Sequence, residues 1–196
     1  MIANREFPAM TPQKYLEWEP TQEMRYEYFN GEVVLMTGGT KPHNRIALNL
    51  AIALDNQLRG GNCEVYITDI KVVIPTRGNY FYPDVVVTCD LRDRNNNQLI
   101  NYPTLIIEVL SPSTEVFDRS EKFAQYRTIE TLQEYVLIHS QRISVEVFRR
   151  NEQNLWVLHP YESGDTVNLA SVGLSLPIAE IYRQVDLDFS ELSSEN

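Results

Sequence analysis

The sequence predicts an α/β protein, a mixed sheet flanked by helices, on three observations. Apolar residues recur at three- and four-residue spacing from Pro42 to Leu58. Three strand-like runs follow, Cys63 to Ile74, Tyr80 to Cys89 and Thr104 to Ser111. A second long helical segment then precedes another strand, Glu134 to Ser140. Strands bracketed by helices in this order build a mixed sheet with helices packed on it.

Each element has a local cause. Thr11-Pro12 supplies an N-cap and a proline at the first helical position, predicting a short helix to about Glu19. Met24 to Met36 predicts a β-hairpin, because strand formers Tyr26, Tyr28, Val33 and Val34 flank Asn30-Gly31, a favoured two-residue turn. Ile46, Leu50, Ala53, Leu54 and Leu58 give the helix from Pro42 one apolar face, and Gly60-Gly61 stops it. The charged, asparagine-rich stretch Leu91 to Asn101 predicts an exposed loop. Ser113 or Thr114 caps a helix ending near Thr128. Ile143 to Arg149 predicts a strand joined to its predecessor through Gln141-Arg142, followed by strands Leu155 to Tyr161 and Thr166 to Leu169 and a helical turn from Pro177 to Tyr182.

The chain of 196 residues suits one domain, 1–185, with an acidic, serine-rich tail, DLDFSELSSEN, at 186–196 expected to be disordered. With 43% hydrophobic residues it can bury a substantial core. No apolar run approaches the roughly 18 residues of a membrane span. No secretory signal is read at the N-terminus, so a soluble cytoplasmic protein is expected. Cys63 and Cys89 have no CxxC partner and are expected to be reduced packing residues. Lys plus Arg number 17 against 27 Asp plus Glu, a formal net charge of −10. That balance counts against tight non-specific DNA binding, since nucleic-acid binders usually present a basic face.

Two apolar runs each carry one carboxylate. Asp84 opens the valine run of Tyr82-Pro83-Asp84-Val85-Val86-Val87, and Glu108 sits inside Leu105-Ile106-Ile107-Glu108-Val109-Leu110. Such runs belong to strands covered on both faces, where an ionised carboxylate costs several kcal/mol unless a positive group accompanies it. Mg²⁺ is one such partner, because it takes one or two carboxylates and fills the rest of its shell with water. Taken singly, Asp84 also reads as a cap after Pro83, and Glu108 as half of a buried ion pair with Arg or Lys.

Helix, three strands, Pro-Asp on the second strand and glutamate within the third: this pattern resembles the PD-(D/E)XK nuclease superfamily. The fuller run YPDVVV, LIIEVLSPST, FDRSEKFAQYR and LQEYVLI resembles one branch, the Uma-type restriction endonucleases, short bacterial proteins of largely undemonstrated activity. The match covers about Pro12 to Tyr182, and its Glu-Val-Leu-Ser-Pro-Ser-Thr segment is specific. The resemblance implies a restriction-endonuclease-like αβββαβ core, with the N-terminal helix and hairpin and the C-terminal strands as additions. It further implies Mg²⁺ (or Mn²⁺) on Asp84 and Glu108, with the Val109 carbonyl as third ligand. Leu110 stands where the superfamily places its lysine, and the resemblance passes that role to Lys122. A helical wheel instead puts Val116, Phe117, Phe123 and Ala124 on the buried face and points Lys122 away from it, with Tyr126 near the border. A surface Lys122 paired with Asp118 one turn back is therefore the other reading.

Glu32 after the hairpin turn, His43 at the helix start and Asp69 within the first strand are further candidates, each with an ordinary solvated or capping role as its alternative, and Tyr126 on the second helix is another. His139 and His159 have no partner at ligand spacing. The implied activity is phosphodiester hydrolysis in nucleic acid, DNA foremost. A catalytically inactive binding or scaffold protein of the same fold is the alternative, favoured by the acidic charge and by Leu110. Metal-free acid–base hydrolysis ranks third. The apolar C-terminal third, with Val145, Val147, Phe148, Trp156 and Val157, predicts a homodimer.

Overall fold

The computed structural model describes residues 7–36 and 38–187. The acidic tail predicted from 186 onward lies almost entirely outside the described residues. Helix α1 (Pro12–Trp18) is capped by the Thr11 side chain, which accepts from the Lys14 amide. The hairpin follows as β1 (Tyr26–Phe29) and β2 (Glu32–Leu35), and then the 18-residue helix α2 (Lys41–Leu58), capped by Thr40.

The first two predicted strands are each two strands. Cys63–Ile74 divides into β3 (Glu64–Ile67) and β4 (Lys71–Ile74), and Tyr80–Cys89 into β5 (Asn79–Phe81) and β6 (Val85–Thr88). The breaks fall side by side, at Thr68, which has φ 43°, and at Pro83, which has no N–H for a ladder. The Thr68 amide donates to the Asp84 carbonyl across them. Both segments thus leave one sheet together and enter another. The five-stranded sheet runs β2-β1-β5-β4-β7, where β7 is Leu99–Ile100. The six-stranded sheet runs β11-β10-β9-β8-β6-β3, from β8 (Pro103–Leu110), β9 (Glu134–His139), β10 (Val145–Arg150) and β11 (Trp156–Tyr161). The pair β8–β9 is parallel, and the helical segment between them makes the crossover.

Two further expectations need correction. Leu91–Asn101 is not a plain exposed loop: it forms a 3₁₀ turn at Leu91–Asn95 and then β7, parallel to β4, with Asp93 and Ile100 buried. A strand unforeseen in the sequence, β13 (Leu174–Pro177), pairs with β12 (Thr166–Leu169) before the short α3 (Ile178–Ile181).

Alternation along β8 sorts the core. Leu105, Ile107 and Val109 join Ile46, Leu50 and Leu54 of α2 and the C-terminal Val167, Leu169 and Ile181 on one face. Ile106 and Leu110 join Tyr126, Ile129 and Tyr135 on the other, together with Val72, Ile74 and Phe81 from the five-stranded sheet. Tyr15, Tyr28, Val33 and Tyr80 form a third cluster beneath α1. Glu108 belongs by parity to the second face, between Ile106 and Leu110.

The cysteines are also corrected: Cys63 and Cys89 form a disulfide, with Cα atoms 3.9 Å apart. Sequence distance hid the pairing. Register reveals it, because Glu64 opposes Thr88 in the β3–β6 ladder, so the next pair outward is Cys63 and Cys89.

Candidate active site

The carboxylate of Asp84 stands where β6 begins. Strand β8 runs past that point, and the Val109 amide donates to Asp84 Oδ2 at 2.7 Å in place of a ladder carbonyl. The side chain therefore extends the β6–β8 ladder by one step, opposite Glu108, since Val85 already opposes Ile107. His43, in the first turn of α2, brings Nε2 to 3.3 Å from the same Oδ2. Burial works against a charged imidazole there. The Asp84 carboxylate, the Val109 backbone and Asp118 overcome it and hold the His43 pKa above the ordinary histidine value.

Glu108 is 4% exposed. Its Oε1 accepts from the Tyr126 hydroxyl at 3.0 Å and lies 3.0 Å from Lys122 Nζ. Lys122 also reaches Glu27 Oε1 at 2.9 Å and Asp118 Oδ1 at 3.6 Å. Burial pushes Glu108 well above the usual carboxylate range; Lys122 pulls it back, while Asp118, Asp84 and Glu27 push it further up. Lys122 stays charged, because Glu108, Glu27 and Asp118 together outweigh its desolvation. One ammonium stands against three carboxyl groups, and burial raises Asp118 as well as Glu108, so ionising all three there is costly.

The surface reading of Lys122 is overturned: it is 5% exposed. Helical turns Glu115–Phe117 and Phe123–Tyr126 flank a π turn at Asp118–Lys122, and the buried stripe is Asp118, Lys122, Gln125, Tyr126 and then Ile129. Val116, assigned to the buried face, is 75% exposed. A wheel that buries the most apolar stripe fails where the inward stripe carries ion-paired groups, and the π turn shifts the phase as well.

Of the weaker candidates, His43 and Tyr126 join this cluster. Asp69 does not: it pairs with Arg25 at 2.7 Å on the surface, its side chain 66% exposed. Glu32 opposite Phe29 opens β2, and the hairpin carboxylate that touches Lys122 is Glu27, five residues earlier. Glu27 is not among the residues the sequence singles out. Strand alternation could have found it, since Tyr26 and Tyr28 pack toward α1, which sends Glu27 to the inner face.

Among the described residues no three His, Cys, Asp or Glu side chains are arranged to hold a metal ion, and no helix is long and apolar enough to cross a membrane. Asp84 and Glu108 are the side chains that could hold a hard cation. In each, the protein contacts given above fall on a single oxygen, Oδ2 and Oε1.

Two proteins of Synechocystis sp. are similar to this chain. "Uncharacterized protein slr1290" is 42% identical over 177 residues, covering 90% of this chain and 93% of that protein. "Uncharacterized protein sll1609" is 34% identical over 151 residues, covering 76% and 85%. A crystal structure from Anabaena variabilis, described as "a putative nuclease belonging to DUF820", superposes with a TM-score of 0.75 over 88% of this chain and 97% of that one, at 18% identity. That likeness bears on the fold, which is the restriction-endonuclease-like arrangement expected from the sequence. The profile of one family, described as "Putative restriction endonuclease", spans residues 12–179 and so takes in Asp84, Glu108 and Lys122 along with both sheets; the chain belongs to that family, Uma2.

Proposed function

We propose that this protein is a Mg²⁺-dependent nuclease, with Mn²⁺ able to substitute, that hydrolyses phosphodiester bonds in nucleic acid, DNA in the first instance. The observation that carries the reading is the excess of carboxylates over cations in this cluster. Asp84, Glu108, Glu27 and Asp118 face one buried lysine and one histidine. Buried charge of one sign is costly, and a divalent cation is the partner that offsets it most economically. The donor chemistry agrees, being two carboxylates and the Val109 carbonyl, all hard oxygens, with water to complete the shell.

When bound, the cation would polarise the phosphate and make a water easier to deprotonate. The remaining work falls to the chain. Asp84 is fixed in orientation by the Val109 amide. The Tyr126 hydroxyl, kept protonated by burial and by the neighbouring Glu108 carboxylate, donates to Glu108 Oε1 and fixes its orientation. Lys122 brings permanent positive charge against the carboxylates, where it can orient water or offset charge growing on the phosphate. Titration calorimetry tests the reading: Mn²⁺ binds the wild type, and Asp84→Ala and Glu108→Ala each weaken it at least about tenfold and abolish plasmid cleavage. Wild-type protein that binds no Mg²⁺ or Mn²⁺ and cuts neither DNA nor RNA would overturn it.

A second reading, an inactive nuclease-fold binding protein, draws on one observation: the Lys122 ammonium, with three N–H donors, already faces three carboxylates. Metal binding without cleavage of any substrate is the outcome that favours it.

We further propose a homodimer. Of the residues that suggest it in the sequence, Val145 and Val147 fill the chain's own core; the support is instead Val157 and Leu158, exposed on the outer strand β11, and Leu155 just before it. A monomer mass by light scattering would end that idea. The cytoplasm is the compartment this reading needs, since nucleic acid lies there. The Cys63–Cys89 bond is set against it, because cytosolic thiols are held reduced.

A further inference from the structure

The N-terminal helix and hairpin look like additions to the core, yet one of their side chains reaches a buried lysine at the centre of the carboxylate cluster. Glu27 is 7% exposed. Its Oε1 accepts from the Tyr82 amide at 2.9 Å and lies 2.9 Å from Lys122 Nζ, the shortest contact that ammonium makes. The Tyr82 amide in turn belongs to the bend between β5 and β6, two residues before Asp84. One carboxylate thus ties the hairpin, the bend that presents Asp84, and the lysine of the following helix. From this geometry we propose that Glu27 is a positioning residue for Lys122, making the N-terminal hairpin part of the active centre.

The physical argument is one of degrees of freedom. Lysine has a four-carbon stem with costly rotamer freedom, and its ammonium is a point charge without the fixed fork of arginine. Glu108 alone cannot fix it, because under the hydrolase reading Glu108 is committed to the cation. Asp118 lies on the same helical segment one turn away, at the longer distance of 3.6 Å, and so gives little lateral restraint. Glu27 approaches from the opposite sheet and is itself held by a backbone amide, so it defines the position of Nζ independently of both. The catalytic half of this proposal rests on the hydrolase reading; the anchoring half does not.

The chain has four lysines, and two of them are buried against carboxylates: Lys122 here, and Lys71, 2.8 Å from Glu19. Lys71 therefore serves as an internal control. In protein labelled with ¹⁵N-lysine, the ammonium groups of Lys71 and Lys122 give two slowly exchanging signals, assigned with Lys71→Arg and Lys122→Arg. Glu27→Gln keeps an acceptor for the Tyr82 amide and removes the charge. It is expected to broaden the Lys122 signal or speed its exchange at least about tenfold and leave Lys71 unchanged. It should also lower kcat for plasmid cleavage about tenfold or more, with Mn²⁺ affinity held within about twofold.

An unchanged Lys122 signal, or an active wild type whose Glu27→Gln variant cleaves equally well, overturns the positioning role alone. A wild type that shows the Lys122 signal but cleaves nothing overturns the hydrolase reading and the catalytic half with it. If Glu27→Gln also loses the Lys71 signal, the hairpin has detached, and Glu27→Asp, which retains charge but shortens the reach, decides the matter by the same readings.

Discussion

Lys122 Nζ stands 3.0 Å from Glu108 Oε1, joining a helical segment to a central strand of the six-stranded sheet where neither residue is more than 5% exposed. Breaking such a pair costs more than the pair is worth, because the surviving charge stays buried. Lys122→Met is predicted to destabilise the protein by about 3–5 kcal/mol in urea unfolding. Glu108→Gln in the same chain is predicted to restore about 1 kcal/mol or more of that, as coupling in a double-mutant cycle. Simple additivity of the two substitutions would show that the contact carries no energetic coupling.

If the carboxylate excess is a cation site, the metal stabilises the fold by mass action. At a hundred times Kd the gain is about 2.7 kcal/mol, removable with EDTA. A thermal shift of several degrees with Mn²⁺, absent in Asp84→Asn, is the expected outcome. A shift of equal size in Asp84→Asn would place the ion elsewhere.

What could be read from the sequence divides along a physical line. Asp84, Glu108 and their strands were legible because a carboxylate in an apolar run is anomalous whatever the fold. Lys122 was legible only through family resemblance; its own helix argued otherwise, since a facing rule built on hydrophobicity cannot see a stripe buried through ion pairing. Glu27 was missed for a related reason. A glutamate in a short hairpin is unremarkable until a second sheet is known to cover its face. The division of the two long strands was hidden as well. Thr68 and Pro83 each look like local irregularities, and only their adjacency across the ladder turns them into a joint crossing between sheets. The disulfide follows the same logic, for it is a consequence of β3–β6 register.

Gly39 packs on the imidazole of His43 so closely that an added Cβ would lie 2.8 Å from Nδ1. Gly39→Ala is therefore predicted to push the ring off Asp84. The His43 pKa, held above 6.5 mainly by Asp84 against the opposing effect of burial, should fall in Gly39→Ala and in Asp84→Asn, as read by proton NMR titration. The sign for stability follows: the His43–Asp84 contribution is complete below the unfolded histidine value and is lost as pH rises through the higher folded one. An unmoved His43 titration in both variants would refute the contact.

The Cys63–Cys89 bond closes a loop across 26 residues, which in the chain-entropy view restricts the unfolded chain by about 3 kcal/mol. Cys63→Ser with Cys89→Ser is predicted to lower the free energy of unfolding by about that amount and leave the circular dichroism of the folded protein unchanged. The β3–β6 ladder, rather than the sulfur bridge, sets the strand positions. Equal stability with and without reductant would mean the thiols are not joined.

Asp93 is 5% exposed and accepts from the Thr88 hydroxyl at 2.7 Å, the Asn101 amide at 2.9 Å and the Tyr102 amide at 3.2 Å. It thereby staples the excursion between β6 and β8, the two strands that carry Asp84 and Glu108. Truncating it leaves buried donors without partners, each costing about 1–3 kcal/mol. Asp93→Ala is thus predicted to destabilise the protein by about 3 kcal/mol, and hydrogen exchange should show Asn101 and Tyr102 losing protection before the amides of β8 do. The functional consequence is graded. Because Asp84 is held by Val109 rather than by this staple, metal binding in Asp93→Ala should persist at temperatures where the protein remains folded, separating a scaffold residue from a site residue. Loss of metal binding in still-folded Asp93→Ala protein would place the excursion inside the site after all.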